Sequence, residues 1–413
     1  MSPLFRVGLA TALIAAALSA GGCATSHAPR AARADRLEGL PREGRAIWVT
    51  RSQYHSAADV RAIMENCAAA GFNDVFFQVR GNATVFYRSQ IEPWAWELTG
   101  EGPQNLGRDP GWDPLATAIE EAHSRGINLH AWVNVYPGWR GNDWPPPDAP
   151  HIWNRHPEWF MRDRNNAVML PYYINSQGRK VVWYSFLNPA VPEVNDYLLS
   201  VFCEILDNYE VDGLHLDYVR YPHDFPHWDF SYDSVSLERF RKATGHSPQE
   251  DPEAWRRWRA DQVTDLVRRL HSQMRKRRPS AALTAAVAGG ADHRRGNCQD
   301  AEQWARKHYV DGIVLMNYTP DPDVYMAQLR QSVSACSGVP VYSGMNPSRL
   351  GRSGTAPEQE FRERVRASLD NGAAGVAQFS YEALFGSDHQ PRPFARILRE
   401  ELYARPAASP LYR

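Results

Sequence analysis

Val211-Asp212-Gly213-Leu214-His215-Leu216-Asp217-Tyr218-Val219-Arg220-Tyr221-Pro222 is a short apolar run that opens on one acid and closes on another. It reads as a buried β-strand over Gly213 to Tyr218, too short for a helix and followed by a proline that stops it. Seven further runs share this character: Ala46 to Thr50, Val75 to Arg80, Leu129 to Asn134, Leu283 to Val287, Gly312 to Asn317, Val339 to Ser343 and Gly375 to Phe379. Continuous apolar character, without alternation, belongs to parallel strands covered on both faces. Helical patterns with their own punctuation lie between them. Ser56-Ala57-Ala58-Asp59 opens one like a capping box and Gly71 closes it, Asp113-Pro114 opens the next before Gly126, and Thr355-Ala356-Pro357-Glu358 and Gly372 bracket the seventh. Strand then helix, eight times, predicts an α/β fold of the (β/α)8 TIM-barrel type. A doubly wound open sheet is the competitor, but no glycine-rich phosphate fingerprint follows the first strand.

The ends of this barrel are unequal. Helix-to-strand turns such as Ala70-Gly71-Phe72-Asn73 are short, whereas the segments after strands two, three and four run over about 81–112, 135–190 and 219–252. Long loops at strand C-termini are where a barrel builds its active site. Nine of the 14 tryptophans lie between Trp94 and Trp183, and seven of them (Trp94, Trp96, Trp139, Trp144, Trp153, Trp159, Trp183) sit in two of these loops. Aromatic faces stack on the apolar faces of sugars, which points to a carbohydrate cleft, although such loops also need hydrophobic anchors of their own.

Composition narrows the function classes. The 413 residues are 43% hydrophobic and 23% charged, with a mean hydropathy of −0.52, a balance that excludes wholesale disorder and a multi-span membrane protein. Forty-six Lys and Arg against 47 Asp and Glu create no global positive field, so nucleic acid is not an expected partner.

The N-terminus reads as an address. Arg6 precedes an apolar stretch from Val7 to Ala20, too short to span a bilayer but the right size for a secretory signal. Ala20-Gly21-Gly22-Cys23 then resembles a bacterial lipobox, with Ala20 where the pattern prefers Leu. The expected layout is therefore a signal peptide over 1–22, lipidation at Cys23, a flexible Ala/Arg-rich tether over 23–42 and the barrel domain over 43–413. Ala24 in place of Asp after the cysteine directs the anchor to the periplasmic side of the outer membrane of a Gram-negative envelope. Of the remaining cysteines, Cys67 and Cys203 fall in apolar-periodic helices as core residues, and Cys298 with Cys336 is the pairing to test for a disulfide.

Asp217 ends strand four, where a carboxylate has little solvent on its barrel side and must be paired or used. It can attack an anomeric carbon as nucleophile, act as base or stabilise an oxocarbenium-like transition state, unless an ion pair with Arg220 or Arg80 merely closes the barrel top. Glycoside cleavage needs a second carboxyl group. Glu382, beyond strand eight, has no capping duty and is preferred as proton donor over Asp321, which with Pro322 also reads as a helix N-cap, and over Asp292 in a flexible loop. Arg80, His130, Trp132, Asn134, Tyr136, Asn317 and Tyr318 stand at strand tips as expected contacts for sugar hydroxyls and acetamido groups. No cofactor is required. A rival constellation of His223, Asp224, His227 and Asp229 with Asp217 could hold zinc for a deacetylase-type hydrolysis, but Pro226 interrupts a regular presentation. No GxSxG, Walker or HExxH motif occurs.

Several of these stretches resemble one family. Asp74-Val75-Phe76-Phe77-Gln78-Val79-Arg80, Pro93-Trp94 through Leu98-Thr99-Gly100, Asp113-Pro114-Leu115 with Glu121 to Gly126, and His130-Ala131-Trp132-Val133-Asn134 are similar to the glycosyl-hydrolase-like family 10 of bacterial envelope proteins. Leu187-Asn188-Pro189, Pro192-Glu193-Val194 and Asp212 to Tyr218 with Arg220-Tyr221-Pro222 extend the match. The resemblance implies a TIM-like barrel and, from a relative at the division site, hydrolysis of peptidoglycan glycan strands that lack stem peptides. Asp217 is also similar in position to the nucleophile of alpha-amylase-type barrels. Chitinase-type barrels add a Glu two residues later, where this chain has Val219. The alternative from a different class is a non-catalytic glycan-binding lipoprotein of the envelope.

Overall fold

The computed structural model describes residues 39–100, 102–222, 229–352 and 354–412. Eight strands, β1 (Gly44–Val49), β2 (Asp74–Arg80), β3 (Asn128–Asn134), β4 (Gly213–Asp217), β5 (Ala282–Ala288), β6 (Gly312–Met316), β7 (Val341–Met345) and β8 (Gly375–Phe379), close into one barrel. Every neighbouring pair is parallel, and β1 against β8 completes the ring. Helices α1 (Ala57–Ala69), α2 (Pro114–Ser124), α3 (Pro192–Asn208), α4 (Ser234–Thr244), α5 (Pro252–Arg277), α6 (Ala301–Arg306), α7 (Pro322–Ala335) and α8 (Pro357–Asp370) surround it. This is the TIM barrel expected from the strand–helix alternation.

The punctuation works through specific hydrogen bonds. Ser56 Oγ accepts from the Asp59 N–H and Asp113 Oδ1 from the Ala116 N–H, so the first two helix starts are capped as predicted. Ala356, not Thr355, is the N-cap of α8 and supplies no side-chain bond, which leaves Pro357 at the first turn to set the start. β7 begins two residues later than the apolar run, because Pro340 has no N–H for the ladder.

The barrel interior is filled. Ala46, Trp48, Phe76, Trp132, Ala286, Val314, Tyr342 and Ala377 form an inner cluster separate from the strand–helix core. Trp48 crosses the lumen and donates its indole N–H to His215 Nε2 at 2.9 Å, while His215 stacks on Phe76 with ring centroids 3.9 Å apart. A Cβ on Gly344 would lie 2.0 Å from the Leu315 carbonyl oxygen and 2.9 Å from the Trp48 ring, so both the close approach of β6 and the crossing indole need glycine here. The N-terminal end is sealed by the C-terminal segment. Ser409 Oγ donates to Asp74 at 2.7 Å, Tyr412 bonds His130 and the Asp212 carbonyl, and Leu411 packs into the inner cluster.

Loops after β2 and β3 are long, as expected, and the β3 loop folds on itself through two antiparallel ribbons. Pro137–Arg140 pairs with Tyr184–Phe186, and Tyr172–Ile174 with Lys180–Val182. The segment after β4 contains α4, so it is not the open loop that the sequence predicted. Cys67, Cys203, Cys298 and Cys336 are all free and buried, which corrects the Cys298–Cys336 pairing. Cys298 Sγ faces the Arg256 carbonyl at 3.7 Å instead.

Candidate active site

β3 and β4 pair in a register that sets Asn134 beside Asp217 at the C-terminal mouth. Asp217 is 6% exposed. Its Oδ1 accepts the Tyr218 N–H at 2.6 Å, an approach made by Tyr218 at φ +50°. That left-handed conformation costs a bulky residue roughly 1–3 kcal/mol and is kept where surrounding structure enforces it. Burial pushes the Asp217 carboxyl above its ordinary value, and Arg220, the Tyr218 N–H and the Trp132 indole pull part of the way back. The indole nitrogen approaches without completing a hydrogen bond. A carboxyl so placed holds its proton to higher pH than a surface aspartate.

An aromatic wall rises around it. The Tyr318 ring lies 5.3 Å from Phe379 and meets Trp48 edge-on, and burial followed by the Asp217 charge keeps its phenol protonated. Tyr218 packs against Tyr184 at 5.3 Å, with the Arg220 guanidinium 4.6 Å over its face. Arg51, just past β1, reaches Tyr184 Oη at 3.4 Å and Glu97 at 3.5 Å. The Pro137–Arg140 ribbon delivers Tyr184 to this wall by pairing Arg140 with Tyr184. Asn134 Oδ1 accepts from Gln78 Nε2 at 3.2 Å, and Gln78 Oε1 accepts the Arg51 N–H.

Of the residues expected at the site, Asp217, Trp132, Asn134 and Tyr318 meet at this mouth. The others do not. Arg80 is fully buried in a bidentate ion pair with Glu92 at 2.7 and 2.8 Å, because a register shift between Gln78 and Arg80 turns it out of the lumen. It is therefore neither a sugar contact nor the partner of Asp217. His130 lies at the opposite, N-terminal end of the lumen beside Asp74 and Tyr412. Tyr136 is buried toward α3, where it donates to Asn195 at 3.1 Å. Asn317 is buried with its amide on the Tyr325 carbonyl. Glu382 is exposed on the short helix Tyr381–Phe385, Asp292 is exposed on Ala291–Gly296, and Asp321 caps α7 through the Asp323 and Val324 N–H groups.

Arg51, Glu97, Tyr184 and Tyr218 escaped sequence reading, since three of them sit in loops whose course the chain pattern does not give. The tryptophans fulfil mainly the anchoring role. Trp139 is buried with its N–H on the Asp143 carbonyl, and Trp144 stacks on Trp153 at 3.5 Å. His223, Asp224 and His227 lie outside the described residues, as does Cys23. Asp229 is engaged by Arg164, Arg259 and Tyr232. Among the described residues no trio of His, Cys, Asp or Glu is disposed to hold a metal ion.

With this geometry in hand, comparison decides the family. A family model described as "Glycosyl hydrolase-like 10" matches residues 43–346. The chain belongs to that family. It is 28% identical over 251 residues to glycosyl hydrolase YngK of Bacillus subtilis, covering 58% of this chain and 43% of the relative. It is 26% identical over 282 residues to glycosyl hydrolase DigH of Escherichia coli K12, covering 62% and 57%. The chain thus spans about half the length of the curated relatives it matches. Among solved structures, the PgaB (BpsB) glycoside hydrolase domain from Bordetella bronchiseptica superposes with a TM-score of 0.61 at 12% identity, covering 87% of this chain and 98% of that one. The catalytic domain of beta-amylase from Paenibacillus polymyxa gives 0.58 at 11% identity, covering 88% and 99%. These likenesses establish the barrel.

Proposed function

We propose that this protein is a glycoside hydrolase of the bacterial envelope that cleaves peptidoglycan glycan strands lacking stem peptides. The observation that carries the reading is one carboxyl group, Asp217, nearly sealed at the barrel mouth and ringed by Trp132, Tyr318 and Tyr218. A carboxyl whose proton affinity burial raises suits a group that gives its proton to a departing glycosidic oxygen. Asp217 is accordingly the proton donor, a role the sequence reading gave to Glu382. Tyr184, Tyr218 and Tyr318 supply aromatic surface for a sugar, and the buried Asn134 and Gln78, bonded to each other, brace the strand tips behind it.

Lipidation at Cys23 and placement on the periplasmic side of the outer membrane belong to the same proposal. The test is product release from three substrates: purified peptide-free strands, intact sacculi and a linear N-acetylglucosamine polymer. The proposal expects cleavage of the first well above the second. Equal cleavage of sacculi removes the substrate assignment, and cleavage of the N-acetylglucosamine polymer alone redirects it. Radiolabelled palmitate incorporation lost in Cys23→Ala tests the anchor.

A further inference from the structure

Hydrolysis with Asp217 as donor requires a second carboxylate to activate water, and of the residues expected to supply one, Glu382 and Asp292 are exposed on short helices and Asp321 caps α7. We infer that Glu97 is that second catalytic carboxylate, acting as general base from the same wall of the mouth as Asp217. The inference rests on the glycosidase reading above.

Glu97 sits in the 3-10 turn Trp96–Leu98 of the β2 loop, held by the buried Leu98 and by Thr99 Oγ1 bonding the Trp96 carbonyl. Its side chain is 23% exposed and lies 3.5 Å from Arg51 Nε, a guanidinium that is itself only 13% exposed. A carboxylate facing a guanidinium makes a charged pair, and the charged acid is the form that can take a proton from water. The second oxygen, Oε2, is out of solvent and has no protein donor. Leaving a buried carboxylate oxygen unbonded costs stability, so its persistence calls for a purpose, and a water or sugar hydroxyl is the missing donor.

Position agrees with chemistry. From Asp217 the contacts run through Tyr218, whose ring packs on Tyr184, to Arg51 at Tyr184 Oη, and from Arg51 to Glu97. Glu97 therefore belongs to the same wall as Asp217, yet an aromatic ring and a guanidinium stand between the two acids. A general base acting through an interposed water inverts the anomeric configuration, and that is the outcome expected here. In the step, water oxygen bonds the anomeric carbon while the glycosidic C–O bond breaks. The water proton passes to Glu97, the bond electrons go to the leaving oxygen, and that oxygen takes the proton of Asp217.

The test uses the full chain, with wild-type cleavage of peptide-free strands measured first. If wild type cleaves no glycan, the glycosidase reading itself fails. If it does, Glu97→Gln should lower kcat by about 100- to 10,000-fold with KM and melting temperature held. The alkaline limb of its pH profile, set by Asp217, should remain. Azide added to Glu97→Ala should restore turnover as a glycosyl azide of inverted configuration. Activity of Glu97→Gln within twofold of wild type, or product of retained configuration from wild type, would each overturn the assignment. Should Glu97→Gln fail to fold, Glu97→Asp decides, since it keeps the charge toward Arg51 but withdraws the carboxylate by one methylene. A kcat reduced at least tenfold at an unchanged melting temperature supports the base role, and wild-type kcat refutes it.

Discussion

At Asp217 two requirements conflict, and the conflict is the source of its reactivity. A carboxyl at a strand tip under aromatic cover loses its hydration, and the charged form suffers most. Because its folded-state value is raised, the folded protein binds this proton more tightly than the unfolded chain does. The resulting penalty is full above the raised value and disappears below the ordinary aspartate range near 3.9. Asp217→Asn should therefore melt at higher temperature than wild type at neutral pH, with the gap closing as pH falls toward 4, measured by thermal unfolding across pH. Trp132→Phe removes the indole that draws the carboxyl down, so the alkaline limb of kcat should move to higher pH. Asp217 was legible in the sequence because an acid that closes an apolar strand must meet a partner or a substrate at the barrel mouth. His130 was misplaced because alternation gives the face of a side chain but not its depth along the lumen. Glu97 and Arg51 were hidden, since a salt bridge between loops 46 residues apart leaves no local pattern.

Elements of secondary structure set where these side chains can go. The shift between Gln78 and Arg80 against β3 converts a residue that alternation would aim at the mouth into a buried clamp. Arg80 ties Glu92 in the β2 loop to the Asn134 and Val135 carbonyls, and Tyr197 on α3 donates to Glu92 at 2.7 Å. Breaking a buried pair from one side is costly because a charge is left unpaired. Glu92→Gln is expected to lose about 3–5 kcal/mol of stability in denaturant unfolding, with a larger effect than removal of any exposed pair such as Arg164–Asp229. The eight strands and their order were readable because each carries the doubly covered apolar signature. The bulge was not, since inserting one residue changes no composition. The C-terminal segment is a second such device. Deleting 409–413 strips Asp74 of its Ser409 bond and uncovers His130, so unfolding should shift to lower denaturant while glycan binding at the far end persists.

Across the whole molecule, the barrel separates a sealed N-terminal end from a working C-terminal mouth, and buried histidines report on its integrity. His215 accepts from Trp48 at Nε2 and therefore carries its proton on Nδ1, facing Thr284 at 2.9 Å. Burial, then His130, hold its value well below the ordinary one, and burial lowers His151 to about 3. Both are neutral when folded and free to charge when unfolded. The stability they favour is complete above about 6.5 and is lost as pH falls below it, opposite in sign to the Asp217 effect. Chemical denaturation from pH 7.5 to 5 should show falling stability with net proton uptake on unfolding, and His215→Gln should flatten that slope. The central claim concerns the mouth, and reducing-end release from purified peptide-free glycan strands tests it most directly. The account predicts steady release by wild type and at least 100-fold less by Asp217→Asn, with both proteins retaining the strand in a pull-down. Equal background release by the two, with binding intact, would contradict it and leave a barrel that holds glycan without cutting it.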